Sequence, residues 1–327
     1  MAPVRRPTSA DVARRAGVSR ATVSYVLNNV PHQSIPDTTQ QRVLAAEEEL
    51  DYTPHAAART LRAGESRLIL FINAGIPYGT NLSIMIDALS AEVAASGRSL
   101  VVWQQHDPRD LAATLAHLQP ALAITLGRLD EEQRALLARA RIPSVETGTG
   151  RDVDAPYGGA ALQIRHLASR GHRQLGYLTT TDPQLAMFAM PRLAGVRTTC
   201  AELALPPVAE LAAPAGISVD ELAAALHHWT SRPDPVTAVA CYNDVYAVAC
   251  LAAANRTGLS VPSDLAVIGM DDEAVSAYTQ PALTTIRLHV IDFARHLWAQ
   301  ATAALDGDPA PGHLSSMHFS LVERQST

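Results

Sequence analysis

Arg20, Ala21, Ser24, Tyr25 and Asn28 are spaced so that a helix presents them together, while Val23, Val26 and Leu27 form the i, i+3, i+4 stripe of a buried face. An arginine fork at the first turn, followed by small and polar side chains, is a set suited to base edges and phosphates in the major groove of DNA. An ordinary solvated helix face has much the same composition, so the elements that position these residues carry the argument. Upstream, Thr8 and Asp11 have the spacing of a capping box at a helix start. Val12, Ala13 and Ala16 follow at helical spacing, Gly17 supplies the left-handed residue that ends this helix, and Val18 plugs the corner. Ser19 is placed to cap the next helix. This is the punctuation of a helix-turn-helix.

From Asp11 to Asn28 the chain fits D-V-A-x-x-A-G-V-S-x-x-T-V-S-x-V-L-N at every fixed position. From Thr39 to Leu61 it fits T-x-x-R-V-x-x-A-x-x-x-L-x-Y-x-P-N-x-x-A-R-x-L, except that His55 stands where Asn is usual. On these residues the chain resembles the lactose-repressor (LacI) family of bacterial transcription regulators. The resemblance implies that Arg20, Ala21 and Tyr25 read bases, Arg through its fork to guanine and Ala against a thymine methyl. It implies backbone contacts from Thr8, Ser19, Thr22, Ser24, Asn28 and Arg59, with Ser19 also serving as a cap. Leu61 falls where the family places a wedge that enters the minor groove and kinks the duplex. Ala56, Ala57 and Ala58 before it are too small to hold a core and suit close packing of two hinge helices, with Arg59 and Arg62 adding phosphate contacts. The loop from Asn28 to Pro36 is longer than usual in the family, and Pro36 replaces the usual Ser cap.

A third head helix is expected at 37–50, with Val43, Leu44 and Leu50 inward and Glu47, Glu48 and Glu49 mostly outward. The net charge of −6 looks wrong for a DNA binder until it is divided. Residues 1–25 carry five Arg against Asp11 alone, whereas residues 68–327 carry 17 Arg against 25 acids. A local basic face is what phosphates require, and an acidic body discourages contact elsewhere. With 47% hydrophobic and 18% charged residues, most of the 327-residue chain has the composition of a folded core. No apolar run approaches the ~20 residues of a membrane helix, and no apolar stretch follows Arg5 and Arg6 as in a secretory signal, so a cytoplasmic protein that binds no membrane is expected. Cys200, Cys241 and Cys250 are unpatterned and read as reduced, buried thiols.

Beyond Arg67, strand-like and helix-like segments alternate. Leu68–Ile72 is a continuous apolar run typical of a strand buried on both faces. Further strands are expected at 100–103, 122–126, 144–146, 175–178, 238–242 and 266–269. A helix with the stripe Leu82, Met85, Ile86, Leu89 and Val93 ends at Gly97. Such alternation argues for parallel, doubly wound sheets, and roughly 260 residues is enough for two lobes. The family motifs continue: Gly171-His172-Arg173, Arg192-Leu193-Ala194-Gly195, Asn243-Asp244, Val267-Ile268-Gly269-Met270-Asp271-Asp272 and Pro281-Ala282-Leu283-Thr284-Thr285-Ile286. They imply a periplasmic-binding-protein-like effector domain, hinged by crossing segments near 154–164 and 286–292.

The expected architecture is therefore a small all-α helix-turn-helix head (1–53) and a hinge helix with linker (54–66), joined to a two-lobed α/β effector domain (67–327). The first lobe would hold about 67–156 plus 288–315, and the second about 157–287 plus 316–327. Arg192, Asn243 and Asp271 lie where the family contacts its effector, whereas Asp244 and Asp272 read as structural partners. Asn243 and Asp271 also have a plain reading as helix caps. Where N-P-F-F usually opens the first-lobe helix, this chain has Gly79-Thr80-Asn81-Leu82, leaving only Tyr78 nearby as an aromatic. Trp298 falls in a core stripe, and Trp103 closes a strand where it could face the crevice. Catalytic signatures are poor: there is no G-x-G-x-x-G, phosphate loop, G-x-S-x-G or H-E-x-x-H, and adjacent His227 and His228 diverge on a helix. No enzyme activity, metal or cofactor is expected. The expected function is a homodimeric repressor that reads a pseudo-palindromic operator and responds to a small molecule, a sugar or related metabolite. The rival readings are a plain solute-binding module and a doubly wound enzyme, and neither has a use for residues 8–62.

Overall fold

The computed structural model describes residues 7–27, 35–52, 66–104, 107, 109–127, 129–147, 154–214, 216–308 and 317–327, with 154–157 as backbone only. The chain divides into two compact units, Met1–Ser66 and Arg67–Thr327. The proposed hinge helix, with Arg59 and Leu61, lies outside the described residues, as does Asn28.

In the first unit, α1 (Ser9–Ala16), α2 (Arg20–Leu27) and α3 (Asp37–Glu49) surround a core of Val12, Ala13, Ala16, Val23, Val43 and Ala46. The Asp11 carboxylate accepts from the Thr8 amide at 2.9 Å and its hydroxyl at 2.6 Å, which starts α1. Gly17 ends it with φ 65°, a left-handed conformation that side chains resist. Leu44, expected inside, is half-exposed. The inner stripe of α3 is Val43, Ala46 and the partly buried Leu50, at i, i+3 and i+7, and Leu44 lies one residue (about 100°) off it. Pro36 offers no side-chain cap to α3; Gln40 instead donates back to the Ile35 carbonyl at 2.9 Å.

The second unit holds two parallel four-stranded sheets. In the first, strands β1 (Leu68–Asn73), β2 (Ser99–Gln104), β3 (Leu122–Leu126) and β4 (Ser144–Thr147) lie in the order β2-β1-β3-β4. Ile69 and Phe71 pack on α4 (Thr80–Ala95) and the late helix Val290–Asp306, while Leu70 and Ile72 pack on α5 (Asp110–Leu118) and α6 (Glu131–Arg139). Helices on both faces explain why β1 is apolar from Leu68 to Ile72, with only the terminal Asn73 polar. Trp103 packs with this second cluster rather than standing as a wall of the crevice, and Trp298 is core as its stripe implies.

The second sheet orders β5 (Leu175–Thr180), β6 (Ala209–Ala213), β7 (Ala238–Cys241) and β8 (Ala266–Ile268) as β6-β5-β7-β8. Helix α7 (Asp154–Ser169) precedes β5, and between the strands run α8 (Ala186–Glu202), α9 (Val219–Thr230) and α10 (Asp244–Thr257). The first two cover one face and the last two the other. Strand β6, Ala-Glu-Leu-Ala-Ala, is unannounced by its composition, which favours helix; it forms because β5 offers it an edge ladder. The expected crossing segment at 154–164 is part of the continuous helix α7. The other expected crossing begins in β9 (Thr285–Leu288), which pairs antiparallel with β10 (Phe319–Val322) and leads to α11 (Val290–Asp306) on the first lobe. All three cysteines are buried and free. Among the described residues no helix is long and apolar enough to cross a membrane.

Candidate functional site

In the first unit the Ser19 hydroxyl accepts from the Thr22 amide at 3.0 Å and lies 2.9 Å from the Thr22 hydroxyl, so Ser19 caps α2. Capping turns Val23 into the core and leaves Arg20, Ala21 and Tyr25 exposed together. The arginines around them are not equivalent. Arg14 pairs with Asp11 at 3.2 Å and Arg15 with Glu49 at 2.5 Å, whereas Arg20 pairs with no acid among the described residues. Among the described residues, Arg20 is therefore the one of these three cations whose fork is uncommitted. The Thr8 hydroxyl is already given to Asp11, and Ser24 is half-buried.

The second unit brings Arg192, Asn243 and Asp271 together at the carboxyl ends of the second sheet, where such folds bind ligands. Arg192 reaches there from α8, buried, and donates to the Tyr242 carbonyl at 2.7 Å and to Asp271 Oδ1 at 3.3 Å. Its guanidinium lies 4.6 Å from the centre of the Tyr242 ring, a cation–π contact. Burial pushes the Asp271 carboxyl above its ordinary value, against the pull of Arg192. Burial likewise opposes the Arg192 charge, but Asp271 with the tyrosines holds it up. Asn243 does cap: its Oδ1 accepts from the Tyr246 amide at 3.2 Å at the start of α10. Its amide nitrogen makes no hydrogen bond among the described residues and stays available to a ligand.

Asp244, beside it, is fully buried and is the hub of the loop that carries Asp271. It accepts from the Glu273 amide at 2.7 Å, from Ser276 at 2.6 Å and from Thr285 at 2.5 Å. Burial lifts its carboxyl to about 6, although these donors pull the other way. Asp272 has a structural post of its own, bonded to Arg324 and Arg287 at 2.7 Å each. Burial works to raise its carboxyl, yet those two arginines keep it below the ordinary value. Asp244 thus holds the structural place that the sequence suggests for it; the Tyr242 ring was not singled out in the sequence, and its adjacency to the Asn243-Asp244 motif is the signal that marks it. Missed too were Met187 and Phe188, which reach from α8 to the first lobe. Met187 Sδ comes to 3.8 Å from where a Cβ on Gly127 would lie, and Phe188 packs against the cores of both lobes.

Residues 8–55 match the family described as bacterial regulatory proteins, lacI family, and residues 164–327 match the periplasmic binding protein-like domain. The HTH-type transcriptional repressor PurR of Vibrio campbellii is 30% identical over 85% of this chain and 86% of its own. The chain belongs to the LacI family of bacterial regulatory proteins. The HTH-type transcriptional regulator GalR of Salmonella typhimurium is 30% identical over 98% of this chain and 95% of its own. Among solved structures, the Lac repressor bound to ONPG in the repressed state superposes with a TM-score of 0.81 at 25% identity, over 99% of this chain and all of that one. The Lac repressor dimer bound to operator and the anti-inducer ONPF gives 0.80 at 23% identity, over 98% of this chain and 99% of that one. This LacI-family member is thus a DNA-binding transcriptional regulator with a helix-turn-helix head and a two-lobed α/β effector domain.

Proposed function

We propose that this family member is a cytoplasmic, homodimeric repressor without enzymatic activity, bound to the nucleoid when on its operator and controlled by a small molecule held between the lobes. What supports this reading most is the contrast between two sites in separate units. One is a capped helix whose Arg20 pairs with no acid among the described residues and whose Ala21 and Tyr25 are exposed; the other is a buried Arg192 paired with a partly buried Asp271, beside the spare amide of Asn243. In this reading Arg20, Ala21 and Tyr25 contact bases, and Thr8, Ser19, Thr22, Ser24, Asn28 and Arg59 contact the backbone. Leu61 wedges the minor groove, residues 1–53 form the head and residues 54–66 the hinge. The effector meets Arg192, Asn243 and Asp271; directed hydrogen bonds from such groups suit the hydroxyls of a sugar or related metabolite. Coupling between crevice and head is worth about 1–3 kcal/mol.

The head assignment makes a direct prediction. In a selection from randomised duplexes, Arg20→Ala and Tyr25→Ala should each relax the preferred base at one position per half-site, at a cost of about 1–3 kcal/mol for the Arg fork. Arg5→Ala or Arg6→Ala should instead weaken binding evenly across sequences and reduce the salt slope by about one. Recovery of the wild-type consensus from both α2 variants would remove these residues from base reading.

A further inference from the structure

The loop that bears Asp271 is held in a conformation that side chains disfavour. Asp271 and Asp272 are consecutive non-glycine residues with φ 106° and 50°. Such backbone persists only where its surroundings over-determine it. From within the second lobe, the Asp271 amide donates to the Ile286 carbonyl at 2.8 Å, and the Glu273 amide donates to Asp244 at 2.7 Å.

Two further bonds come from the opposite lobe. Thr80, the first residue of α4, donates its hydroxyl to Glu273 Oε2 at 2.6 Å. Asn81, the next residue, donates its side-chain amide to the Asp271 carbonyl at 3.2 Å. The start of α4 explains why an acid is welcome there. Gly79 stands at its N-cap position with no side chain to bond the free amides, and the first turn contains no acid. A helix of 16 residues presents partial positive charge at that end. Glu273 brings the missing negative charge from the other lobe.

We infer that Thr80, Asn81 and Glu273 form an interlobe latch in which a second-lobe carboxylate neutralises the first-lobe helix end, and that this latch positions Asp271. The inference rests on the reading of Asp271 as an effector contact. Lobe separation and the placement of Asp271 are then one variable, because the loop 271–273 is gripped from both sides. A ligand that draws Asp271 toward itself pulls on α4, and a ligand that parts the lobes frees Asp271. The replacement of N-P-F-F by Gly79-Thr80-Asn81-Leu82 exchanges an aromatic wall for this polar grip.

The test measures lobe separation in the full chain with no ligand added. Spin labels are attached at Arg139→Cys and Arg232→Cys, exposed positions on the two lobes, in labelled protein diluted with unlabelled chains. The native cysteines are buried. Pulsed dipolar spectroscopy should show that Thr80→Ala and Glu273→Ala each raise the more open population by about three- to tenfold, as expected for losing one partly solvated hydrogen bond to a charge. Combining them should add little, and Thr80→Ser, which keeps the hydroxyl, should restore the wild-type distribution. Unchanged distances in both alanine variants overturn the latch, and so does a lowered melting temperature without a change in distance. Because no ligand is present, that failure would leave the effector reading standing. Wild-type ligand affinity in folded Arg192 and Asp271 variants would overturn the effector reading instead, with the distances unaffected.

Discussion

Asp244→Ala should cost the α/β domain about 3 kcal/mol of stability, although it removes a carboxylate whose burial is itself unfavourable. The size follows from what is left behind. Asp244 takes three donors, the Glu273 amide and the Ser276 and Thr285 hydroxyls, in a site closed to water. The hydroxyls can rotate toward other acceptors, but the Glu273 amide is fixed by the strained loop and would be orphaned. Asp244→Asn keeps shape and acceptor, and its nitrogen can donate to the Thr285 hydroxyl, so a loss of about 1 kcal/mol or less is expected. Gly269→Ala should approach the cost of Asp244→Ala for a different reason. A Cβ there would lie 2.0 Å from Asp244 Oδ1, and that oxygen cannot retreat without abandoning the Thr285 hydroxyl and dragging Oδ2 from its two donors. Urea melts of the three variants at pH 7 check the ranking.

The titration of Asp244 gives the same residue a second signature. Its folded carboxyl lies near 6 and its ordinary value is 3.8, so between these pH values the folded state binds more protons than the unfolded one. Stability contributed by this group is therefore present at the acid end of that window and lost as pH rises through it, by roughly 2–3 kcal/mol. Asp244→Asn should flatten that segment of the stability curve. A wild-type slope retained by Asp244→Asn would assign the titration to another group.

Arg192→Ala should lower stability by about 2–4 kcal/mol and abolish the response to the effector. Without the guanidinium, the Tyr242 carbonyl loses its 2.7 Å donor, and the partly buried Asp271 carboxylate loses its nearby positive charge. Burial already pushes the Asp271 carboxyl up, so in the variant it should titrate higher still. Asp271→Ala is expected to be milder for folding, because Arg192 keeps its carbonyl and its place against the Tyr242 ring. Both variants should retain operator binding, since the head is a separate compact unit. Calorimetric titration with a sugar or nucleoside found by thermal-shift screening separates the two effects. A folded Arg192 variant that binds such a ligand as wild type does would place the ligand elsewhere.

Much of this molecule was legible in one dimension because the signals are local. A helix-turn-helix is specified by a cap, a left-handed Gly17, a corner Val18 and one apolar stripe, all between Thr8 and Leu27, and no distant residue is needed to recognise it. Continuous apolar runs such as Leu68–Ile72 declare strands covered on both faces, and the regular alternation with helical stripes declares parallel sheets. The placement of Asn243 and Asp271 beyond strand ends followed from those elements together with the family motifs, whereas Arg192 reaches the site from well inside α8.

Where the local signal was weak, the expectation missed. Leu44 was placed inside on hydrophobicity, but helix phase favours Ala46, and a small residue is sufficient where three short helices meet closely. Strand β6 has the composition of a helix and became a strand only because the edge of β5 was open. The residues that decide how the effector site is built, Tyr242 beneath Arg192, Asp244 beneath the loop and Thr80 opposite Glu273, are linked by contacts up to 193 residues apart in sequence. The amino-acid sequence by itself determined the head, the two doubly wound lobes and the family to which they belong. Only tertiary structure decided which charges are neutralised and which remain free, because pairing depends on distance and burial, and neither is a property of a residue and its neighbours in the chain.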